Sequence, residues 1–490
     1  MNEAKTRYVA VGLGVLAVAG AVGLLFALLA VGDRSDRMNQ LTDDLEAVRT
    51  ERDELTAEIE QLEEGSSVIE SRWLAAVAVS GRYSPTDSRL LAVEAAARSS
   101  TPEATAALGS LLFADARSDP PTIEFDHDGP VWATGAASNS DIVATGSDDM
   151  TAKLWSTSGE LLTTLPHSGQ VKALDFSADS RLIATGTDDG VAIVWTVAGE
   201  EVASVGHTDR VNDVAISDDG ALMASGSHDA AAFITSTETG EIQHELSHPD
   251  IVWSLALSDD GDRLATGGQD GLARVWDIET GDQIADYDIG QPVTTVEFSP
   301  DGLWLFAGGQ SGNAILVDTV AGDASAPLEG EFRGGVVAMD WHPQGTEFAV
   351  VSLGGINRYV LPTAALIAEH RVAGGARGLA YGPDGSWFVT GSGDFQFSFG
   401  EIAFWDTSAG TKLVSLNLGG PVESVSVHGT GTVVASFRST DDLIETGGAW
   451  LVPGPRDWIT LACESTEGII GEQTWTQLTG EATSHDTGCP

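Results

Sequence analysis

The sequence predicts an all-β propeller, eight-bladed, preceded by a transmembrane helix, a short coiled coil and a small helical segment. Three observations carry this. Between residues 120 and 455 a unit of short strands recurs eight times, at intervals of 40 to 46 residues. Tyr8 to Val31 form a run of 24 residues without a charge. Between these regions, Leu41, Leu45, Val48, Arg52, Leu55, Ile59 and Leu62 alternate at spacings of four and three.

Residues 1–34 read as an N-terminal tail and membrane anchor. At about 1.5 Å per residue, a helix of this length spans about 36 Å, enough to cross a bilayer with some tilt. A cleaved signal peptide is the competing reading, but its apolar core is shorter, roughly 7–15 residues. Lys5 and Arg7 precede the span, and a short basic tail favours a cytoplasmic N-terminus. The expected location is therefore the cell membrane, single-pass, with the propeller outside the cytoplasm. Arg49 and Arg52, farther on, argue for the opposite sense.

Residues 38–64 form the coiled-coil stalk. Its seam has one polar insertion, Arg52 at an a position, and the pattern predicts a homo-oligomer formed through residues 41–62. Residues 66–117 read as compact helices: SRWLAAVAVSGRY, DSRLLAVEAAARS and TPEATAALGSLLFA. Thr101 is placed to cap the last of these, with Pro102 at its first turn. RSDPPT then breaks the pattern and marks a boundary.

The repeating unit is strand, turn, strand, tight turn, strand. Its first turn reads FSADSRLIATG (176–186), ISDDGALMASG (216–226), LSDDGDRLATG (257–267), FSPDGLWLFAG (298–308) and YGPDGSWFVTG (381–391). WHPQGTEFAVV (341–351), VHGTGTVVASF (427–437) and AASNSDIVATG (136–146) are weaker copies. A period of about 40–45 indicates four-stranded propeller blades. Seven blades is the alternative, and it needs longer blades or one unit outside the ring. TIEF (122–125), ahead of the first full unit, is placed to close the ring as the outer strand of the last blade.

These units resemble the WD-repeat (WD40) β-propeller family. Trp155, Trp195, Trp276 and Trp405 occupy the tryptophan position, and Trp276-Asp277 and Trp405-Asp406 complete the dipeptide. The resemblance implies buried hydrogen-bonded tetrads of histidine, hydroxyl residue, aspartate and tryptophan. The matching sets are His127, Thr145, Asp149 and Trp155; His167, Thr185, Asp189 and Trp195; His248, Thr266, Asp270 and Trp276. A fourth, His207, Ser225 and Asp229, has Thr235 in place of its tryptophan. Each aspartate follows its histidine by 22 residues. The physics suits a structural role: imidazole donates to carboxylate, indole donates to hydroxyl, and each blade acquires one geometry. A catalytic or metal-ligating role would not need four similar copies around a ring. Later units lose the pattern, with Ser311 and Gly354 at the aspartate position, so these blades should lean more on apolar packing.

Only Cys463 and Cys489 occur, flanking a predicted helix in the tail, residues 456–490. They most simply form a disulfide, which favours an oxidising compartment; two free thiols in a reducing one is the alternative. Ala462-Cys463, Trp475 and Cys489-Pro490 resemble the tail that follows WD-repeat regions in many bacterial signalling (STAND-type) proteins. LLAVEAAARSSTPEATAAL resembles the helices ahead of such propellers. Those relatives often carry a nucleotide-binding module, yet no GxxxxGK[ST] loop occurs here.

With 73 acidic against 24 basic residues the net charge is −49, and such a surface repels nucleic acid. No GxSxG, HExxH or CxxC appears, and no enzyme, cofactor or metal site is expected. The aspartate-rich turns offer calcium as a weaker alternative, since β-turns use Asp and Gly for their own geometry. The expected function is a membrane-anchored interaction scaffold that binds protein or peptide partners. The alternative is a ligand sensor or enzyme using the propeller channel.

Overall fold

A computed structural model describes residues 85–112 and 123–455 apart from short gaps, with scattered positions between 68 and 80 and after 455. The expected membrane span, the coiled coil, Cys463 and Cys489 lie outside the described residues. Among the described residues no helix is long and apolar enough to cross a membrane.

Apart from a short pair, Ile469–Ile470 with His485–Asp486, the described strands form eight four-stranded antiparallel blades. We number them from the inner strand Val131–Ala136 of blade 1 to the inner strand Val422–Val427 of blade 8. Blade 8 takes its outer strand from the start of the ring. Ile123–His127 pairs antiparallel with Thr446–Val452, Phe125 opposite Ala449. No sheet edge is left open at the seam, as the position of TIEF led us to expect.

The core is annular. Eight apolar clusters lie along the ring of described residues, mostly in the seams between neighbouring blades. The second strand of each of the first five blades has five consecutive buried residues, as expected of a strand covered on both faces. The first turns hold themselves. In blades 2 to 5 a serine hydroxyl donates to the aspartate two residues on: Ser177–Asp179, Ser217–Asp219, Ser258–Asp260 and Ser299–Asp301, at 2.5 to 2.8 Å. These aspartates therefore do the work of the turn.

Two helices pack on the ring, α1 (Pro85–Arg98) and α2 (Pro102–Leu112). Thr101 Oγ1 accepts from Ala104 N at 3.2 Å, the expected N-cap. Both helices share one cluster with blade 7 residues Phe404, Leu413 and Leu416 and with Trp458, which is fully buried. The apolar helix stripes thus find their partner in the propeller. The chain on either side of the ring meets in one core.

Candidate interaction face and the blade tetrads

In each of the three four-residue sets the tryptophan sits at a bulge. The third strand shifts register at Leu154/Trp155, Val194/Trp195 and Val275/Trp276, which re-aims the indole. Trp155 then donates to Thr145 Oγ1 at 2.9 Å, Trp195 to Thr185 at 3.1 Å and Trp276 to Thr266 at 2.9 Å. The same hydroxyl meets a histidine Nε2 from the preceding connection. The distances are 2.7 Å for His127, 2.9 Å for His167 and 2.8 Å for His248; His207 reaches Ser225 at 2.8 Å. Every one of these histidines faces an acceptor with Nδ1. Nδ1 therefore carries the proton, and Nε2 accepts from the hydroxyl.

The acceptor is not the same in all four. His127 Nδ1 donates to Asp149 Oδ2 at 2.8 Å, and His207 Nδ1 to Asp229 Oδ2 at 3.1 Å. In blades 2 and 4 the expected histidine–aspartate bond is absent. His167 Nδ1 donates instead to Leu165 O, and His248 Nδ1 to Leu246 O, both at 2.9 Å. The residue two before the aspartate explains this. Ser147 and Ser227 send their hydroxyls to the carbonyls of Gly129 and Asp209, leaving the carboxylate for histidine. In blade 2 Thr187 Oγ1 donates to Asp189 itself. In blade 4 Gly268 has no hydroxyl, and Arg274 forks onto Asp270.

In blade 3 the missing indole leaves Thr235 Oγ1 buried with no partner among the described residues. Phe233 stacks on His207 there, ring centroids 4.1 Å apart. Of the later blades, blade 7 keeps the indole contact, Trp405 to Thr390 at 3.0 Å. Burial opposes ionisation of Asp149, but hydrogen bonds from His127 and Thr151 outweigh it and hold its carboxyl well below the usual range. Burial pushes His248 down to about 4, despite its backbone hydrogen bond and Asp270. These groups are consumed within their own blades.

A different set of side chains faces outward. On the face where the inner strands begin, Trp132 Nε1 donates to Asp148 Oδ1 at 2.6 Å. Lys172 pairs with Asp148, its ammonium 4.5 Å from the Trp132 ring centroid. Across the ring Trp253 Nε1 donates to Gln269 at 2.6 Å, and His228 meets the Trp253 ring edge-on at 5.0 Å. Both tryptophans are half-buried, and Met150, Val337 and Leu353 are exposed on the same face. His228 Nδ1 and Arg210 Nε, nearby, have no hydrogen-bond partner among the described residues. These residues were not singled out from the sequence. The available signal is the matched register of VWATGA and VWSLAL, with tryptophan second in each inner strand.

The channel wall carries acids that sequence reading also missed. Asp175 accepts from Ile216 N at 2.9 Å, Asp213 from Leu255 N at 2.9 Å and Asp340 from Tyr381 N at 2.7 Å, each reaching the next blade. Glu297 occupies the same strand position as Asp175 and Asp340. The amide it would take in blade 6, Trp341 N, already donates to Asp340. Burial raises Asp175 and Asp340 to about 6 and Asp213 to about 7. Glu297 keeps surface open to the channel but is walled in by the inner strands. That desolvation, with repulsion from Asp340, Asp213 and Asp175, pushes it to about 8.

The family description WD domain, G-beta repeat, matches residues 120–156, 159–196, 199–234, 240–277 and 286–318. The chain is a WD-repeat β-propeller. The matched part of the WD-repeat propeller ends at blade 5, where the tetrads have already lapsed. Blades 6 to 8 continue the same architecture with fewer of the sequence marks, blade 7 keeping Trp405-Asp406. A crystal structure of the computationally designed Ika8 protein is similar, with a TM-score of 0.57 and 22% identity over 67% of this chain and 99% of that one. That likeness concerns fold alone. No curated protein matches the chain.

Proposed function

We propose that this WD-repeat propeller is a membrane-anchored interaction scaffold, held outside the cytoplasm and self-associated through its stalk. WD-repeat propellers are generally protein-interaction scaffolds and typically not enzymes. The observation supporting a partner-binding role here is the face that presents Trp132, Trp253, Met150 and Leu353 around the channel mouth. Aromatic side chains with one polar end are enriched where proteins meet. The uncharged run Tyr8 to Val31 and the heptads of residues 41–62 support the anchor and the self-association.

The alternative, a ligand sensor or enzyme using the channel, meets carboxylates there. Three of the four described above each hold a backbone amide of the next blade, which is a use in assembling the ring.

The test is photocrosslinking in intact cells, with a benzophenone amino acid at position 150 or 353 and a control at the opposite-face position 320. The same partner should be captured from 150 and 353 and not from 320. Capture from none of them would overturn the scaffold reading. Labelling of Cys463 and Cys489 by an impermeant maleimide, only after external reduction, is the outcome expected of an exported propeller.

A further inference from the structure

A cavity of about 530 Å³ opens between blades 6 and 7, on the face opposite the tryptophans. Its size lies in the range of small-molecule sites, about 300–1,000 Å³. At this seam Arg358, Glu347 and Tyr381 differ from what the other blades place at the same strand positions, and Thr407 differs in its bonding.

Arg358 is the clearest departure. Sheet register aligns it with Leu154, Val194, Ile234, Val275, Leu316 and Phe404, all buried and apolar. Arg358 is 4% exposed. It meets Glu347 through Nε at 3.2 Å and through Nη2 at 2.7 and 2.9 Å. Tyr381, where blades 2 and 5 place Phe176 and Phe298, donates its hydroxyl to Glu347 at 2.7 Å. A buried ion pair is seldom more stabilising than the apolar residues it replaces. The other blades do without one at this place, so stability alone is a poor reason for it.

His342 and Thr407 complete the set. In blades 3 and 5 the equivalent threonines use their hydroxyls internally: Thr237 donates to Gly220 O at 2.5 Å and Thr319 to Gly302 O at 2.7 Å. In blade 7 the corresponding carbonyl, Gly385 O, accepts from His342 Nε2 at 3.1 Å. Thr407 Oγ1 is left buried in the cavity wall with no partner among the described residues, on a residue only 9% exposed. His370 Nε2, also buried and unpartnered, lies at the Gly410 turn that lines the same cavity.

We infer that this cavity binds a small uncharged ligand rich in hydroxyl or amide groups, of the size and chemistry of a monosaccharide. Its charged wall groups are all engaged: Arg358 and Glu347 neutralise each other, and Asp384 accepts from Ser386 N at 3.0 Å and Ser386 Oγ at 2.8 Å. The groups left to meet a ligand are neutral donor–acceptors, Thr407 Oγ1 and the exposed Gln344 amide. A charged ligand would lose its hydration without gaining a free counter-charge. The site is separate from the partner-binding face, and its occupancy does not depend on that reading.

The experiment is saturation-transfer NMR on the full chain. Glucose and N-acetylglucosamine are the neutral probes, and citrate and spermidine the charged ones. Transfer should reach a neutral probe and neither charged one. Thr407→Val, which keeps the side-chain shape, should weaken binding about threefold to tenfold at an unchanged melting temperature. Gln344→Ala, at an exposed position, should also weaken it and guards against misfolding of the first variant. No transfer to either sugar, transfer to citrate or spermidine instead, or wild-type binding in both variants would overturn the inference.

Discussion

Asp270 is paired with Arg274 and not with His248. The guanidinium Nη1 lies 3.1 Å from Oδ1, while His248 turns Nδ1 to a backbone carbonyl. Arg274 is 6% exposed, so Asp270→Ala would leave a buried charge uncompensated. Such losses cost about 3–5 kcal/mol. Asp189→Ala, at the aligned position in blade 2, removes hydrogen bonds from Thr187 and Ser168 but strands no buried charge, and should cost about 1–2 kcal/mol. Urea unfolding of the two variants checks the order; equal losses would mean that both aspartates serve the same role.

Opposite pH limbs follow from two sets of carboxyls. Asp149 is held below its ordinary range, so its contribution is present above the unfolded value and is lost as pH falls. The channel acids run the other way. Asp175, Asp340, Asp213 and Glu297 are raised to between about 6 and about 8, so the folded state binds protons more tightly. Their contribution is complete below about pH 4 and is lost as pH rises through 6 to 8. Melting temperature should therefore fall from pH 5 towards pH 8.5. Glu297→Gln should flatten that decline, and an unchanged slope would count against the channel acids as its cause.

The tight turn between second and third strands requires a left-handed residue. Gly190 has φ +92°, and Ala230, at the same place in blade 3, has φ +67°. An added Cβ at Gly190 would lie 2.8 Å from His207 O and 2.9 Å from Asp209 O. Gly190→Ala should destabilise by about 2 kcal/mol. Ala230→Gly relieves the side-chain penalty and should stabilise by about 0.5 kcal/mol after the greater freedom of the unfolded glycine is counted. Thermal melts of the pair should move in opposite directions.

The helices and the tail should behave as part of the ring. A Cβ at Gly109 of α2 would come within 2.8 Å of Trp458 Cη2, and Trp458 donates to Pro453 O at 3.0 Å. Trp458→Ala should cost about 3–5 kcal/mol. Gly109→Ala should be costly in the native chain and nearly neutral once Trp458 is alanine, the coupling expected of residues in contact. Additive losses in a double-mutant cycle would disprove this contact.

Much of the ring is legible without coordinates because strand periodicity and turn chemistry are local. The first turns, the blade spacing and TIEF as the closing strand all follow from residues near in sequence. The indole–hydroxyl contacts are nearly as local, since Trp155 and Thr145 lie on paired strands ten residues apart. The histidine–aspartate bonds are less so. His167 and His248 sit at the same 22-residue interval as His127, but at their aspartates Thr187 and Arg274 compete within about 3 Å.

By itself, the sequence determined the propeller class, the eight units, the closing strand and the likeness of the tetrads, because each depends on a repeating pattern of neighbours. Only the tertiary structure decided which tetrads take their aspartate, which channel acids hold an amide of the next blade, and that α2 packs on blade 7 with α1 against it. It also placed Arg358 against Glu347 beside the unpartnered hydroxyl of Thr407. Such pairings depend on how strands and blades pack, which sets side chains from 4 to 42 residues apart within hydrogen-bond reach, where the nearest donor of the right shape captures each acceptor.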